Sequence, residues 1–274
     1  LAQQAAVDLH VSPPPSVLAT NAQLVLLPMP HHAHLLTQNP VARTPSKLAS
    51  ILTDTYNISA SDLSHLTIVP GNAKSPSDIA NILTHPSHPN RLVDIVFFGV
   101  GAYVVPQLSL LRPLVLPPAD KTITEDCMRA LFSAIDSLAT TSAKPFLVIV
   151  SATAGKDVWH SLPWPWMSAP LYKWLLSSPQ DDKLAMESIV HSDHGNHIQG
   201  YVIIRPAILT DGESEIEKVR YGWVWATETD ERAEAPGPAV GWCVGRRDVG
   251  RWVYEKVVRV GGSGWEGKNV SLCY

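Results

Sequence analysis

"LVDIVFFGVGA" (residues 92–102) is an apolar run that does not alternate and that halts at Gly99 and Gly101. A strand that is apolar throughout is covered on both faces, as in a parallel sheet packed between helices. "KPFLVIVSATAG" (144–155) repeats the pattern and ends in small residues, and "QGYVIIRPAIL" (199–209) is a third run that leaves at Arg205-Pro206. "HLTIVP" (65–70) is a shorter strand closed by Pro70 and Gly71, and "KNVSLCY" (268–274) reads as a last one. Helical periods lie between and after them. "SPSDIANILTH" (75–85) carries Ile79, Ile82 and Leu83 on one helical face. In "TITEDCMRALFSAIDSLAT" (122–140), Cys127, Leu131, Ile135 and Leu138 follow a helical spacing, and Thr122 with Glu125 has the form of a capping box. "RDVGRWVYEKVVR" (247–259) is a helix with Asp248 in its N-cap region. Strands alternating with helices make βαβ units. Right-handed crossovers then favour an α/β, doubly wound, mostly parallel sheet.

The 274 residues suffice for one large domain. Residues 1–20 are small, polar and proline-rich and read as a loose arm. Residues 21–274 read as one domain with lid insertions near 156–180 and 210–245, where Trp, Pro and Gly concentrate over a small C-terminal substrate region. A net charge of −4 gives no electrostatic reason to expect nucleic acid or a lipid headgroup as partner. Three cysteines without metal-ligand spacing fit a reducing, cytoplasmic setting. No apolar run nears the roughly 20 residues that span a bilayer.

A doubly wound sheet binds ligands beyond the carboxyl ends of its strands. Gly99, Gly101 and Ala102 stand at one such end, where missing or small side chains admit a ligand to the backbone. Ser151 and Thr153 stand at the next, with hydroxyls for a ribose, a carbonyl or local backbone, and Pro206 stands at a third.

"FFGVGA", "LVIVSATAG", "DDKLAMESIV", "YVIIRPAILTDG", "AVGWCVGRRDVGRWVYEKV" and "WEGKNVSLCY" occur in this order. In this the chain resembles the NmrA-like, NAD(P)H-binding group of atypical short-chain dehydrogenase/reductases, of fungal type, over about residues 43–274. The resemblance implies a Rossmann-type sheet, a dinucleotide (NADP or NAD) and a small-molecule substrate. It implies that Arg43 faces the adenosine 2′-phosphate, for which a guanidinium fork is suited, and that Asn72 lies in the adenine-contacting turn, where the family usually has an acid. Gly99, Gly101, Ala102 and Ser151 match positions lining ribose and nicotinamide, and Pro206 matches backbone beside the nicotinamide. Lys183 matches the lysine of the superfamily's Tyr-x-x-x-Lys pair, which binds ribose and lowers the tyrosine pKa. Four residues earlier the chain has Pro179, so that tyrosine is absent, and Tyr172 is the candidate replacement proton donor.

One feature departs from the family. After "AQLVLL", which has the apolar run of a central first strand, "PMPHHAHLLTQ" puts Pro28 and Pro30 where a glycine-rich phosphate turn belongs; "HHAHLLTQ" could be a helix remnant. Proline offers no N–H to a phosphate and blocks close backbone approach. Cofactor binding is therefore expected to be weakened. "GSGWEG" (262–267) fits the glycine-motif letters but follows a helix and precedes a strand, so it reads as a loop. "HSDHGNH" (191–197) and "HHAH" (31–34) read as loops rather than metal sites. Trp159, Trp164, Trp166 and Trp174, joined by Trp223 and Trp225, would line an apolar cleft or close a lid.

Three readings share these residues. The first is an NADP-dependent oxidoreductase that moves hydride to or from a small carbonyl or enone. The second is a non-catalytic dinucleotide-sensing or regulatory protein. The third is an inactive paralogue with a displaced N-terminal segment that lacks the phosphate loop.

Overall fold

The computed structural model describes residues 24–27, 41–42, 45–55, 59, 66–85, 88–101, 104–107, 111, 113–138, 143–153, 158–161, 163–226 and 234–274. The main sheet and one two-stranded sheet are built from β1 (Leu24–Leu27), β2 (Val41–Ala42), β3 (Val69–Pro70), β4 (Ile95–Phe98), β5 (Phe146–Val150), β6 (Gly200–Pro206), β7 (Ile208–Thr210), β8 (Arg220–Trp225), β9 (Cys243–Gly245) and β10 (Lys268–Cys273). The helices are α1 (Pro45–Ser50), α2 (Pro76–Leu83), α3 (Ile123–Ser137), α4 (Val158–Ser161), α5 (Pro165–His191) and α6 (Arg246–Lys256).

Eight strands form one sheet in the order β8-β10-β6-β5-β4-β1-β2-β3. From β3 to β6 this is the 3-2-1-4-5-6 order of a doubly wound fold. The parallel pairs β4–β5, β5–β6 and β6–β10 form its centre. Alternate residues feed two cores. Val96, Phe98, Leu147, Ile149 and Ile203 pack with Ile79, Leu83, Met128 and Leu131 of α2 and α3. Ile95, Phe97, Val148, Val202 and Ile204 pack with Val249, Trp252 and Val253 of α6. The uninterrupted apolar strands thus have both faces covered, as the sequence requires.

Three local expectations change. β1 is central but antiparallel to both neighbours, with Leu24 opposite Phe98 and Leu27 opposite Ile95. The chain therefore leaves β1 at the amino edge of β4, the wrong edge for a phosphate turn. Thr122 and Glu125 make no capping box. Thr122 as N-cap gives no side-chain cap bond, and its hydroxyl bonds Asp126 instead. Residues 165–180, expected to be irregular, begin the long helix α5. It kinks at Leu176 (φ −113°, ψ 20°). Pro179 is the cause, having no N–H for the Leu175 carbonyl and a ring that crowds it.

The β8 edge is clamped to the segment at 237–239. Ser271 Oγ accepts from the Ala239 N–H at 2.6 Å and donates to the Gly222 carbonyl at 3.2 Å. A Cβ on Gly222 would lie 2.3 Å from the Gly237 carbonyl oxygen and 2.7 Å from the Ala239 nitrogen. These are backbone atoms that cannot rotate away. Gly222→Ala is expected to lower stability by about 1–3 kcal/mol, measured by urea unfolding. An unchanged midpoint would show that the clamp is loose.

Candidate functional site

Because β4 and β5 run in parallel register, from Ile95 opposite Phe146 to Phe98 opposite Ile149, they end side by side. Gly99, Val100 and Gly101 thus emerge next to Val150 and Ser151. The Ser151 N–H extends the ladder to the Ile204 carbonyl of β6 at 2.8 Å. Thr153 Oγ1 donates to the Pro206 carbonyl at 3.4 Å, which ties the third strand end to the second. Ser151 itself is buried, and its Oγ has no hydrogen-bond partner.

Lys183 reaches into this corner from α5. Its ammonium donates to the Val100 carbonyl at 2.8 Å and the Val150 carbonyl at 3.2 Å. These are the carbonyls that two adjacent parallel strands release as they end. An ammonium has three hydrogens, and these bonds use two. Burial lowers the Lys183 pKa to about 8, while Asp182 and Glu187 partly offset the loss of hydration.

Asp182 fixes the rotation of the helix that carries Lys183. Its carboxylate accepts from the Thr124 N–H at 3.1 Å and the Glu125 N–H at 3.2 Å, and its own carbonyl accepts from Thr124 Oγ1 at 3.1 Å. A carboxylate from α5 therefore caps α3, in favourable contact with the helix dipole. One turn after Lys183, buried Glu187 pairs with Arg205 of β6 at 2.5 Å.

The remaining candidates are spread around this centre. Asn72 is exposed in the turn after β3, its N–H bound to Asp78 Oδ2 at 2.8 Å and its Oδ1 accepting from the Lys74 N–H at 3.1 Å. Asp78 thus closes this turn through the Asn72 backbone. Tyr172 packs on Ala169, and burial pushes its phenol pKa up. It lies eleven positions before Lys183 and on the other side of the kink at Leu176, about 16 Å along a helix of that length, so the two do not form a pair. Arg43 and Ala102 lie outside the described residues, as do Pro28, Pro30 and the "HHAH" stretch. Of the tryptophans, Trp164, at the N-cap of α5, and Trp174, on α5, are exposed. Trp223 and Trp225 belong elsewhere. Trp225 pairs with Lys268 at the amino end of β10, and the Lys268 ammonium lies 4.1 Å from the Trp223 ring centroid. That end of the sheet is remote from the strand ends at Ser151, so they line no lid over the site. His197 bonds Asp193, lies 3.2 Å from Asp136 and stacks on Phe132. Among the described residues no group of His, Cys, Asp or Glu could hold a metal, and no helix is long and apolar enough to cross a membrane.

The sequence reading missed Asp182, Glu187 and Gln180. Their signal was present as helical spacing around Lys183, but it shows only once the chain is known to resume a helix after the kink at Leu176.

Sheet order and crevice place the protein among doubly wound, Rossmann-type α/β folds. Reductase pytE of Aspergillus terreus is 33% identical over 246 residues, covering 85% of this chain and 87% of that protein. Oxidase pynE of Aspergillus niger is 29% identical over 262 residues, covering 85% and 88%. The chain belongs to the family of reductase pytE. A short-chain dehydrogenase/reductase of Veillonella parvula, solved in complex with NADP, superposes with a TM-score of 0.45 at 12% identity, covering 82% of this chain and 87% of that one. No family model matches.

Proposed function

We propose that the chain is an NADP-dependent oxidoreductase, of the NmrA-like branch of atypical short-chain dehydrogenase/reductases, acting on a small carbonyl or enone. The observation that carries this is the Lys183 ammonium, anchored on the Val100 and Val150 carbonyls with one hydrogen to spare. Beside it the Ser151 hydroxyl is buried without a partner. This donor set fits the ribose and nicotinamide half of the cofactor, with Lys183 on the ribose hydroxyls and Ser151 on the nicotinamide side. The bound nicotinamide supplies the hydride. Arg43 is assigned to the 2′-phosphate and Asn72 to the adenine. The pyrophosphate gains no turn from β1, which exits at the other edge, so affinity is expected to be modest. That same reversal, with Pro179 in the tyrosine position, favours a second reading: a dinucleotide sensor that binds without turnover.

Titrating NADPH while following tryptophan fluorescence tests the reading. Saturable quenching is expected. It should weaken roughly ten- to a hundredfold in Lys183→Met, since a charge-assisted bond is lost. It should also fall as the pH rises through about 8, where the ammonium deprotonates. No saturable quenching by either NADPH or NADH would sink it. Binding without reduction of any carbonyl compound would select the sensor.

A further inference from the structure

Polar residues line one stripe of α5 at positions 180, 183 and 187, spacings that bring side chains to one face. Two are tied down: Lys183 by two strand-end carbonyls and Glu187 by Arg205. Gln180 is not. It is 7% exposed, and its Nε2 has no hydrogen-bond partner. Ser177 Oγ, on the preceding turn, is likewise buried and unbonded, as is Ser151 Oγ beside the carbonyl that Lys183 grips. Buried polar atoms are nearly always bonded. Two of these unpartnered atoms lie on the turns of α5 before Lys183 and one at the strand end its ammonium holds, and an unpaired buried donor gains from any acceptor that reaches it.

Resting on the oxidoreductase reading, we propose that Gln180 is a substrate-binding residue that donates a hydrogen bond to the carbonyl oxygen of an uncharged ketone or enone. A carboxamide donates a hydrogen bond but has no proton to give at physiological pH. Gln180 therefore orients and polarises the oxygen. Its preference is for a neutral acceptor, and hydrocarbon analogues of the same shape should bind worse, because they leave the amide unpaired.

The test uses 2-cyclohexen-1-one as probe, with saturable binding followed by NMR shift perturbation in the wild-type chain and in Gln180→Leu, and NADPH titrated in parallel. The expected result is enone binding weakened about three- to tenfold, the loss of one neutral hydrogen bond. The thermal midpoint of the ligand-free variant should rise by about 2–4 °C, because an unpaired buried amide has been replaced by an apolar group. A purely structural glutamine would lower the midpoint instead. A lower midpoint, equal enone affinity, or no saturable enone binding by the wild type overturns the proposal. If Gln180→Leu does not fold, Gln180→Met carries the same readouts. Enone binding that depends on Gln180 without NADPH binding keeps this subsite and removes the cofactor reading. NADPH binding without dependence on Gln180 does the reverse.

Discussion

Asp248→Ala is expected to remove about 3–5 kcal/mol of folding stability. Asp248 is wholly buried in the first turn of α6, where Gly245 is the N-cap and makes no side-chain cap bond. Its carboxylate accepts from the Tyr274 phenol, the Ser214 hydroxyl and, at 2.8 Å, the Glu215 N–H. The phenol oxygen in turn accepts from the Gly245 N–H at 2.8 Å. One side chain thus joins the start of α6, the loop after β7 and the end of β10. Alanine leaves those donors unpaired and opens a cavity. Burial, together with the bond to Asp248, raises the Tyr274 pKa to about 12. A phenol whose pKa is higher in the folded state adds stability below its unfolded value near 10. That contribution is lost as the pH rises through about 12. Asp248→Asn, which keeps the volume and drops the charge, should therefore flatten the decline in stability between pH 10 and 12. Urea unfolding at neutral and alkaline pH measures both effects. A loss below about 1 kcal/mol in the alanine variant would show that the network is not built around this carboxylate.

The layered core was legible because it depends on local pattern. Runs such as "IVFF" and "FLVIV" are apolar throughout, and both faces of their strands are covered. Lys183 was legible through a resemblance, and its place at the strand ends follows from where α5 packs. The direction of β1 was not legible, since four apolar residues in "LVLL" pair equally well either way and only the partner register decides. Nor was the cap on α3. Thr122 and Glu125 carry a local capping signature, but Asp182, 58 residues from Thr124, takes the free N–H groups. Long-range polar contacts leave no period in a sequence. The region 156–180 misled for the opposite reason. Its prolines predict breaks, yet α5 absorbs Pro170 and Pro179 at the cost of a kink.

Glu187→Leu is expected to cost a comparable amount, about 3–5 kcal/mol, because it removes one partner of a buried ion pair. Arg205 is 8% exposed and Glu187 2%, and both Arg205 Nε and a terminal nitrogen reach the carboxylate. The attraction between them largely offsets the desolvation of both. The informative comparison is thus the double variant Glu187→Leu/Arg205→Met, which should recover most of the loss. A double variant as unstable as the single one would mean that Arg205 serves by packing rather than by charge. The pair also bears on the site. Burial lowers the Lys183 pKa, and Asp182 and Glu187 act against that fall. Removing Glu187 subtracts one of the carboxylates that support the ammonium, so Lys183 should lose its proton below pH 8. NADPH affinity in the single variant should then begin to fall at a lower pH than in the wild type. The double variant lacks the same carboxylate, and Arg205 is not among the groups that shift Lys183, so it should follow the single variant. If the pH dependence of binding is the same in all three proteins, the ion pair supports the fold without tuning the ammonium.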